Sequence, residues 1–330
     1  MFVPYTHESI RLTGRWDVSS PACAVATATG SYVEFCFEGT MAVARFDIET
    51  NMRPLLHLWI QIDGGDRTEA SVDSYIRIQT AKPGVHTCRI IYKGGTEVSG
   101  RWYLPLHGKV TFLGVQTDCP VAIPTDDRRV VEFIGDSITE GVLIDVDYHE
   151  GTRPAYDLDQ LDRCYQDDVC ATYAWLTAEK LDLRPVFMGY GAVGVTRKGC
   201  SDVPAAPLSF PYNFEGSPIT YRPGDFVVIN HGANDRGATP ELYQEKYSEL
   251  LDLILKRNPN AVVVALSAFC GGHKEALEEL IPAYNKEHGT NVHFVNGSEW
   301  IPPQPLHPLR DGHRIVADHL APALKEIFKL

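Results

Sequence analysis

The stretch VEFIGDSITEG, Val131 to Gly141, runs as an apolar strand pattern and then breaks abruptly at Asp136 and Ser137. A serine in that position has two readings. It is either a helix N-cap, a role in which serine is common, or a hydroxyl presented for attack. Attack requires a base beside the hydroxyl and donors for the oxyanion that it creates. Three other stretches carry the residue types that would be needed. NHGAND holds Asn234, whose amide can donate to developing negative charge, together with the flexible Gly232. GYGAVG holds Gly191 and Gly194, whose backbone N–H groups are left accessible by the missing side chains. QPLHPLRDGH holds His307, an imidazole close to the end of the chain.

Whether these groups meet depends on the elements that carry them. From Arg129 onward, apolar runs such as VVEFIGDS, PVFMGYGA, DFVVINHGAND, AVVVALSAF and VHFVNGS alternate with helical patterns. Five near-continuous apolar strands with intervening helices imply a parallel sheet covered on both faces. Such sheets place their ligand sites beyond the carboxyl ends of the strands, which is where Ser137, Gly194, Asn234 and His307 fall. The helix assignments have independent support, since Thr239-Pro240 forms a cap and first-turn pair ahead of an apolar stripe of Tyr243, Tyr247, Leu250, Leu251 and Ile254.

The first part of the chain has a different period. From Ile10 to about Cys119 it consists of short runs rich in β-branched and aromatic residues, such as SYVEFCFEGT, MAVARFDI, SYIRIQTA and HTCRIIYKG. Val33, Phe35 and Phe37 alternate with Glu34 and Cys36, and turn signals such as DGGD, KPGV and KGG recur at roughly ten-residue spacing, the pattern of a β-sandwich. DCPVAIPTDDRR, with two prolines and several charges, reads as a linker. The expected organisation is a jelly-roll-like β-sandwich over residues 1–120, a linker over 121–128 and an α/β domain over 129–330.

Gly135-Asp136-Ser137, Gly194, Asn234 within GAND and His307 within HPLRDGH, in that order, resemble the four blocks of the SGNH hydrolases, also called GDSL esterases. With a β-sandwich ahead that opens with LTGRWD and runs into RRVVEFIGDSITEG, the whole chain is similar to the two-domain acetyl esterases of carbohydrate esterase family two. The resemblance implies a flavodoxin-like SGNH domain with a five-stranded parallel sheet. It also implies Ser137 as nucleophile, His307 as general base, and an oxyanion hole from the Ser137 and Gly194 N–H groups with the Asn234 amide; AVGVTR fits the second block better at Gly194 than at Gly191. Its implied substrate is an acetylated carbohydrate, with acetylated xylan or xylo-oligosaccharide foremost.

Most SGNH enzymes have an aspartate three residues before the histidine, and here that position is Gln304. The expectation is a Ser-His dyad, with a backbone carbonyl near Pro302 to Pro305 fixing the ring. Glu299 and Asp311 are the rival orienters, although Asp311 reads better as a cap of the last helix. His313 reads as a structural histidine. Trp300 and Arg236 flank the blocks and are expected either to line a sugar pocket by stacking and hydrogen bonding or to serve in ordinary packing and surface ion pairing. Long loops at Leu143 to Arg163 and Ser201 to Arg222 are expected to wall the cleft.

A formal charge of −13, from 43 acidic and 30 basic residues, argues against nucleic acid or an anionic membrane surface as partner and fits a neutral substrate. No run approaches the ~20 apolar residues of a membrane helix, and MFVPYTHESIRLTGRW lacks the regions of a signal peptide. The location expected is cytoplasmic, with secretion after removal of a leader as the alternative. Eight singly placed cysteines read as free thiols. No cofactor and no metal is expected. GYGAVG fits a dinucleotide fingerprint, yet the VTRKGCSDVPAAP that follows is too rich in proline and glycine for the helix such a motif requires. None of the twelve histidines forms an H-x-x-x-H pair for zinc. The competing functions are a glycan-binding protein that has lost catalysis, and an esterase of non-carbohydrate acyl esters.

Overall fold

The computed structural model describes residues 1–145 and 163–330. The part of the expected Leu143–Arg163 loop that spans 146–162 therefore lies outside the described residues.

The N-terminal half is an antiparallel network of nine strands: β1 (Phe2–Pro4), β2 (Ile10–Thr13), β3 (Ala24–Ala26), β4 (Tyr32–Phe46), β5 (His57–Ile62), β6 (Arg67–Ser71), β7 (Tyr75–Gly94), β8 (Val110–Gln116) and β9 (Cys119–Val121). Its strands are fewer and longer than the turn signals suggest. SYVEFCFEGT and MAVARFDI merge into the single strand β4, and SYIRIQTA and HTCRIIYKG merge into β7 across Pro83 and Gly84. The two pair along nearly their whole length, with a register shift between Gly39 and Met41. Gly39 has φ of 131°, a conformation open to glycine and rarely to other residues. At that bulge β4 changes partners, pairing with β2 and β9 on one side of it and with β8 on the other. What reads as a turn in sequence is thus a bend within a continuous strand.

An extended segment without helix or strand, residues 122–129, leads into the second half. There the parallel strands β10 (Val130–Gly135), β11 (Arg184–Gly189), β14 (Phe226–Asn230), β15 (Val262–Leu266) and β16 (His293–Val295) lie in the order β11-β10-β14-β15-β16. The strands β12 (Tyr212–Phe214) and β13 (Ser217–Pro218) form a small separate hairpin. Numbered among themselves the parallel strands run 2-1-3-4-5, the flavodoxin-like order, whose chain reversal opens a crevice between the first and third strands. The chain leaves β10 at that crevice through α1 (Ser137–Glu140). The other α-helices among the described residues are α2 (Arg163–Gln166), α3 (Tyr173–Lys180), α4 (Ala206–Ser209), α5 (Pro240–Arg257), α6 (Lys274–His288) and α7 (Arg310–Phe328).

Helix α5 has the features its sequence implies. The Thr239 side chain accepts from the Leu242 N–H, Pro240 opens the first turn, and Tyr243, Tyr247, Leu250, Leu251 and Ile254 are its buried residues. Segment Ser201–Arg222 is less loop-like than expected, because it carries α4 and the hairpin and buries Val203, Ala206, Phe210 and Phe214. Cys36, Cys88, Cys164 and Cys170 are buried and Cys119 is exposed.

Candidate active site

Ser137 begins α1 directly after β10, and the tightness of that turn explains its glycine. A Cβ on Gly135 would lie 2.2 Å from Thr139 Oγ1 and 3.0 Å from the Asn230 carbonyl oxygen, so only a bare Cα lets the helix fold back on the strand end. Asp136 is the N-cap, its Oδ1 accepting from the Ile138 N–H at 2.9 Å. The capping role considered for Ser137 is thus filled by Asp136. Freed of it, the Ser137 Oγ lies 2.8 Å from His307 Nε2, two groups 170 residues apart in sequence. Both are buried, at 5% and 7% exposure.

Asn234 arrives from the end of β14, and its Nδ2 donates to Asp136 Oδ2 at 3.0 Å and to the Val193 carbonyl at 3.2 Å. The amide is therefore clamped to the residue preceding Ser137. Gly194 sits against the residue after Asn234, since a Cβ there would lie 2.3 Å from Asp235 Oδ1. Its N–H donates to the Arg197 carbonyl at 3.1 Å. Asp235 also accepts from the N–H groups of Val195 and Thr196 at 3.1 and 2.8 Å, locking this turn against the Asn234 loop. Gly191, the weaker oxyanion choice in sequence, packs against Glu97, whose Oε2 would lie 2.0 Å from a Cβ there.

Burial dominates the electrostatics. It raises the Asp136 carboxyl to about 7, with the nearby Asp235 charge adding to the effect and the Ile138 N–H opposing it. It depresses the fully buried His231 to about 4. His313 is depressed to about 3 by burial, with His307 and Arg310 contributing. As expected of a structural histidine, the His313 Nδ1 accepts the Tyr173 N–H at 3.0 Å and its ring stacks on Tyr173.

The rival orienters of His307 point elsewhere. Glu299 is exposed and lies 3.8 Å from Lys274 Nζ, Asp311 pairs with Arg314 at 3.1 Å, and Gln304 is exposed. Asp311 does not cap α7 as expected, because the N-cap is Leu309 and Asp311 falls in the first turn. Of the flanking pair, Trp300 is half-buried and stacks on His319 with ring centroids 5.5 Å apart, while Arg236 is exposed with its Nε donating to the Ala233 carbonyl at 2.8 Å.

Two ion-pair groups beside the site were missed in sequence. Arg310, within the histidine block, pairs with Asp145 at 2.6 Å and Asp168 at 3.1 Å. Asp168 in turn accepts from Trp59 Nε1 of β5 at 2.9 Å, so the block is tied to the N-terminal half. Arg101 and Glu140 form an ion pair whose side chains are each 1% exposed. No spacing rule identifies these partners, because each pair joins segments distant in the chain.

The fold, the order of the blocks and the Ser137–His307 contact coincide with a sequence match. Residues 133–315, more than half of the chain, match the GDSL-like lipase/acylhydrolase family. The chain belongs to that family. Among curated relatives it is 24% identical over 96% of its length to the cellulase/esterase CelE of Acetivibrio thermocellus, and spans 39% of that protein. It is 26% identical over 74% of its length to an acetylxylan esterase/glucomannan deacetylase of Cellvibrio japonicus, covering 68% of it. Among solved structures, a family two carbohydrate esterase from Cellvibrio japonicus superposes with a TM-score of 0.81 at 20% identity, over 100% of this chain and 98% of that one. The two-domain family-two fold, antiparallel half included, is therefore shared over the full chain.

Proposed function

We propose that this GDSL-family protein is a serine esterase that removes acetyl groups from carbohydrate, with acetylated xylan or xylo-oligosaccharide as the substrate class. The observation that carries this reading is the 2.8 Å contact between Ser137 Oγ and His307 Nε2 at the crevice of the parallel sheet. In the mechanism that follows, Nε2 accepts the hydroxyl proton as Oγ bonds to the acetyl carbonyl carbon, and the carbonyl π electrons move onto oxygen. Collapse of the tetrahedral adduct expels the sugar alkoxide, which takes the proton from Nε2 and leaves an acetyl-Ser137. Water, deprotonated by the same nitrogen, then adds to that ester and releases acetate and free serine.

The oxyanion would be held by the Ser137 N–H, the Gly194 N–H and the Asn234 amide. Two of these donors already serve neutral carbonyls, Arg197 for Gly194 and Val193 for Asn234. A full negative charge competes well for such protons, because charge-assisted hydrogen bonds are roughly twice as strong as neutral ones. A backbone carbonyl of Pro302 to Pro305 is proposed to fix the His307 ring, in place of a carboxylate. The sugar preference rests on the names of the relatives and on the overall negative charge, which suits a neutral substrate.

The test is hydrolysis of p-nitrophenyl acetate and release of acetate from acetylated xylobiose, in the presence of EDTA. Wild type should turn over both, and Ser137→Ala should retain neither activity nor labelling by a fluorophosphonate. Wild-type activity that survives Ser137→Ala sinks the reading. Relative initial rates on acetylated xylobiose, glucose pentaacetate and a longer acyl ester decide between the carbohydrate substrate and a general acyl ester.

A further inference from the structure

The loop between β7 and β8, residues 95–109, belongs to the antiparallel half, yet it reaches the turn that carries the serine. Arg101 on this loop places its Nη1 and Nη2 on the two carboxylate oxygens of Glu140, the last residue of α1. Both side chains are almost wholly buried. The guanidinium also lies over the ring of Tyr190, 5.3 Å from its centroid, and the Tyr190 hydroxyl is 3.0 Å from Thr27 Oγ1. From the same half, Thr29 Oγ1 donates to the Glu140 carbonyl at 2.9 Å. The Gly191 N–H lies on the side of this carboxylate and lowers its pKa, against the burial that raises it.

We propose that Arg101 and Glu140 are positioning residues for Ser137, so that the N-terminal half braces the nucleophile rather than only carrying or recognising substrate. The inference rests on the esterase reading above. Its physical basis is the shortness of α1, a single turn in which the Glu140 N–H donates to the Asp136 carbonyl at 2.9 Å while the Gly141 and Val142 N–H groups both donate to the Ser137 carbonyl at 3.0 Å. A one-turn element has no helical length over which to absorb a displacement. Release of Glu140 is therefore transmitted to Ser137, and a misplacement of ~1 Å at the reacting atoms is enough to cost about 10²-fold in rate.

A single truncation of either partner strands a buried charge and threatens folding, whereas neutralising both sides of a buried pair is far better tolerated. The test therefore uses the double variant Arg101→Met/Glu140→Gln, read against wild type by the rate of fluorophosphonate labelling and by kcat and KM for p-nitrophenyl acetate per titrated serine. The expected result is labelling and kcat each reduced about 10- to 100-fold with KM within about threefold. A folded double variant that labels and turns over within threefold of wild type overturns the brace while leaving the esterase reading intact. Should that variant fail to fold, Thr29→Val keeps the ion pair and removes only the hydroxyl on the Glu140 carbonyl. It should slow labelling roughly 3- to 10-fold, with Thr29→Ser restoring it, and a wild-type rate in Thr29→Val overturns the brace equally. A wild type that takes no label at all removes the esterase reading and the brace together.

Discussion

Asn234 holds both of its amide hydrogens on acceptors, Asp136 on one side and the Val193 carbonyl on the other, and on the proposed mechanism this clamp sets where it would meet an oxyanion. Asn234→Ala should therefore lower kcat by ~10²–10³ with little effect on folding, the usual loss for one oxyanion donor. Asp136→Ala removes the N-cap and the clamp together, and should lower kcat through a misdirected Asn234 while also costing about 1 kcal/mol of stability. Steady-state kinetics beside a urea titration separate the two effects, and an Asp136→Ala enzyme with wild-type kcat contradicts the clamp. Gln304→Asp addresses what orients His307. Turnover within tenfold of wild type is expected if a backbone carbonyl already fixes the ring, and a rise by orders of magnitude means that a carboxylate is lacking. The residues proposed for the reaction could be picked out in sequence, because Ser137, Asn234 and His307 are chemically distinctive types beyond strand ends. Asp136 was visible only as part of a motif, and Arg101 and Glu140 not at all. Buried ion pairs between remote segments have no local pattern.

Elements differ in the same way. The parallel strands β10, β14 and β15 read directly, since burial on both faces demands continuous apolar runs, and α5 read down to its cap because capping and amphipathicity are local rules. The long strands β4 and β7 were hidden, because a glycine that bends a strand and one that ends it look alike in a single sequence. Where α7 meets α3 the elements carry a pH dependence that sequence did not announce. His313 on α7 accepts the N–H at the head of α3 and is held neutral, its pKa depressed to about 3 against 6.5 for the free group. The unfolded chain therefore binds the proton first. Stability from this group is present above pH 6.5 and is lost as the pH falls toward 3, about 2 kcal/mol of it between pH 7 and pH 5. His231, depressed by burial, acts in the same direction, whereas the raised Asp136 loses stability as pH rises from about 4 through 7. Single variants isolate the terms. His313→Gln keeps an acceptor for the Tyr173 N–H without a titrating ring, so its loss of stability between pH 7 and pH 5 should be smaller than that of wild type by about 2 kcal/mol. Urea midpoints at the two pH values check this, and parallel shifts for both proteins contradict it.

At the scale of the molecule, a change in hydrophobic period near residue 120 suggested two domains joined by a linker, and the two sheets do divide there. Their cores do not. One apolar cluster joins Ala28, Trp102 and Leu106 of the first half to Ile134, Met188 and Ile229 of the parallel sheet, and another joins Tyr32 and Ile91 to Phe133, Trp175 and Phe187. Arg15, 1% exposed, donates to the Phe210 carbonyl at 2.8 Å and the Tyr221 hydroxyl at 3.1 Å across the same boundary. Separating the halves would expose this apolar surface to water and break the Arg101–Glu140 pair and the Arg15 hydrogen bonds. Neither half can therefore unfold without destabilising the other. The expected calorimetric result is one endotherm for the 330 residues, with an enthalpy near 60 °C of about 230 kcal/mol and a van't Hoff enthalpy of similar size. Fluorophosphonate-reactive serine should disappear over the same temperature range as the antiparallel-sheet signal. Two resolved transitions, or a reactive serine that outlasts the antiparallel half, would mean that the catalytic sheet stands alone and that the contacts across the boundary contribute little to holding the site.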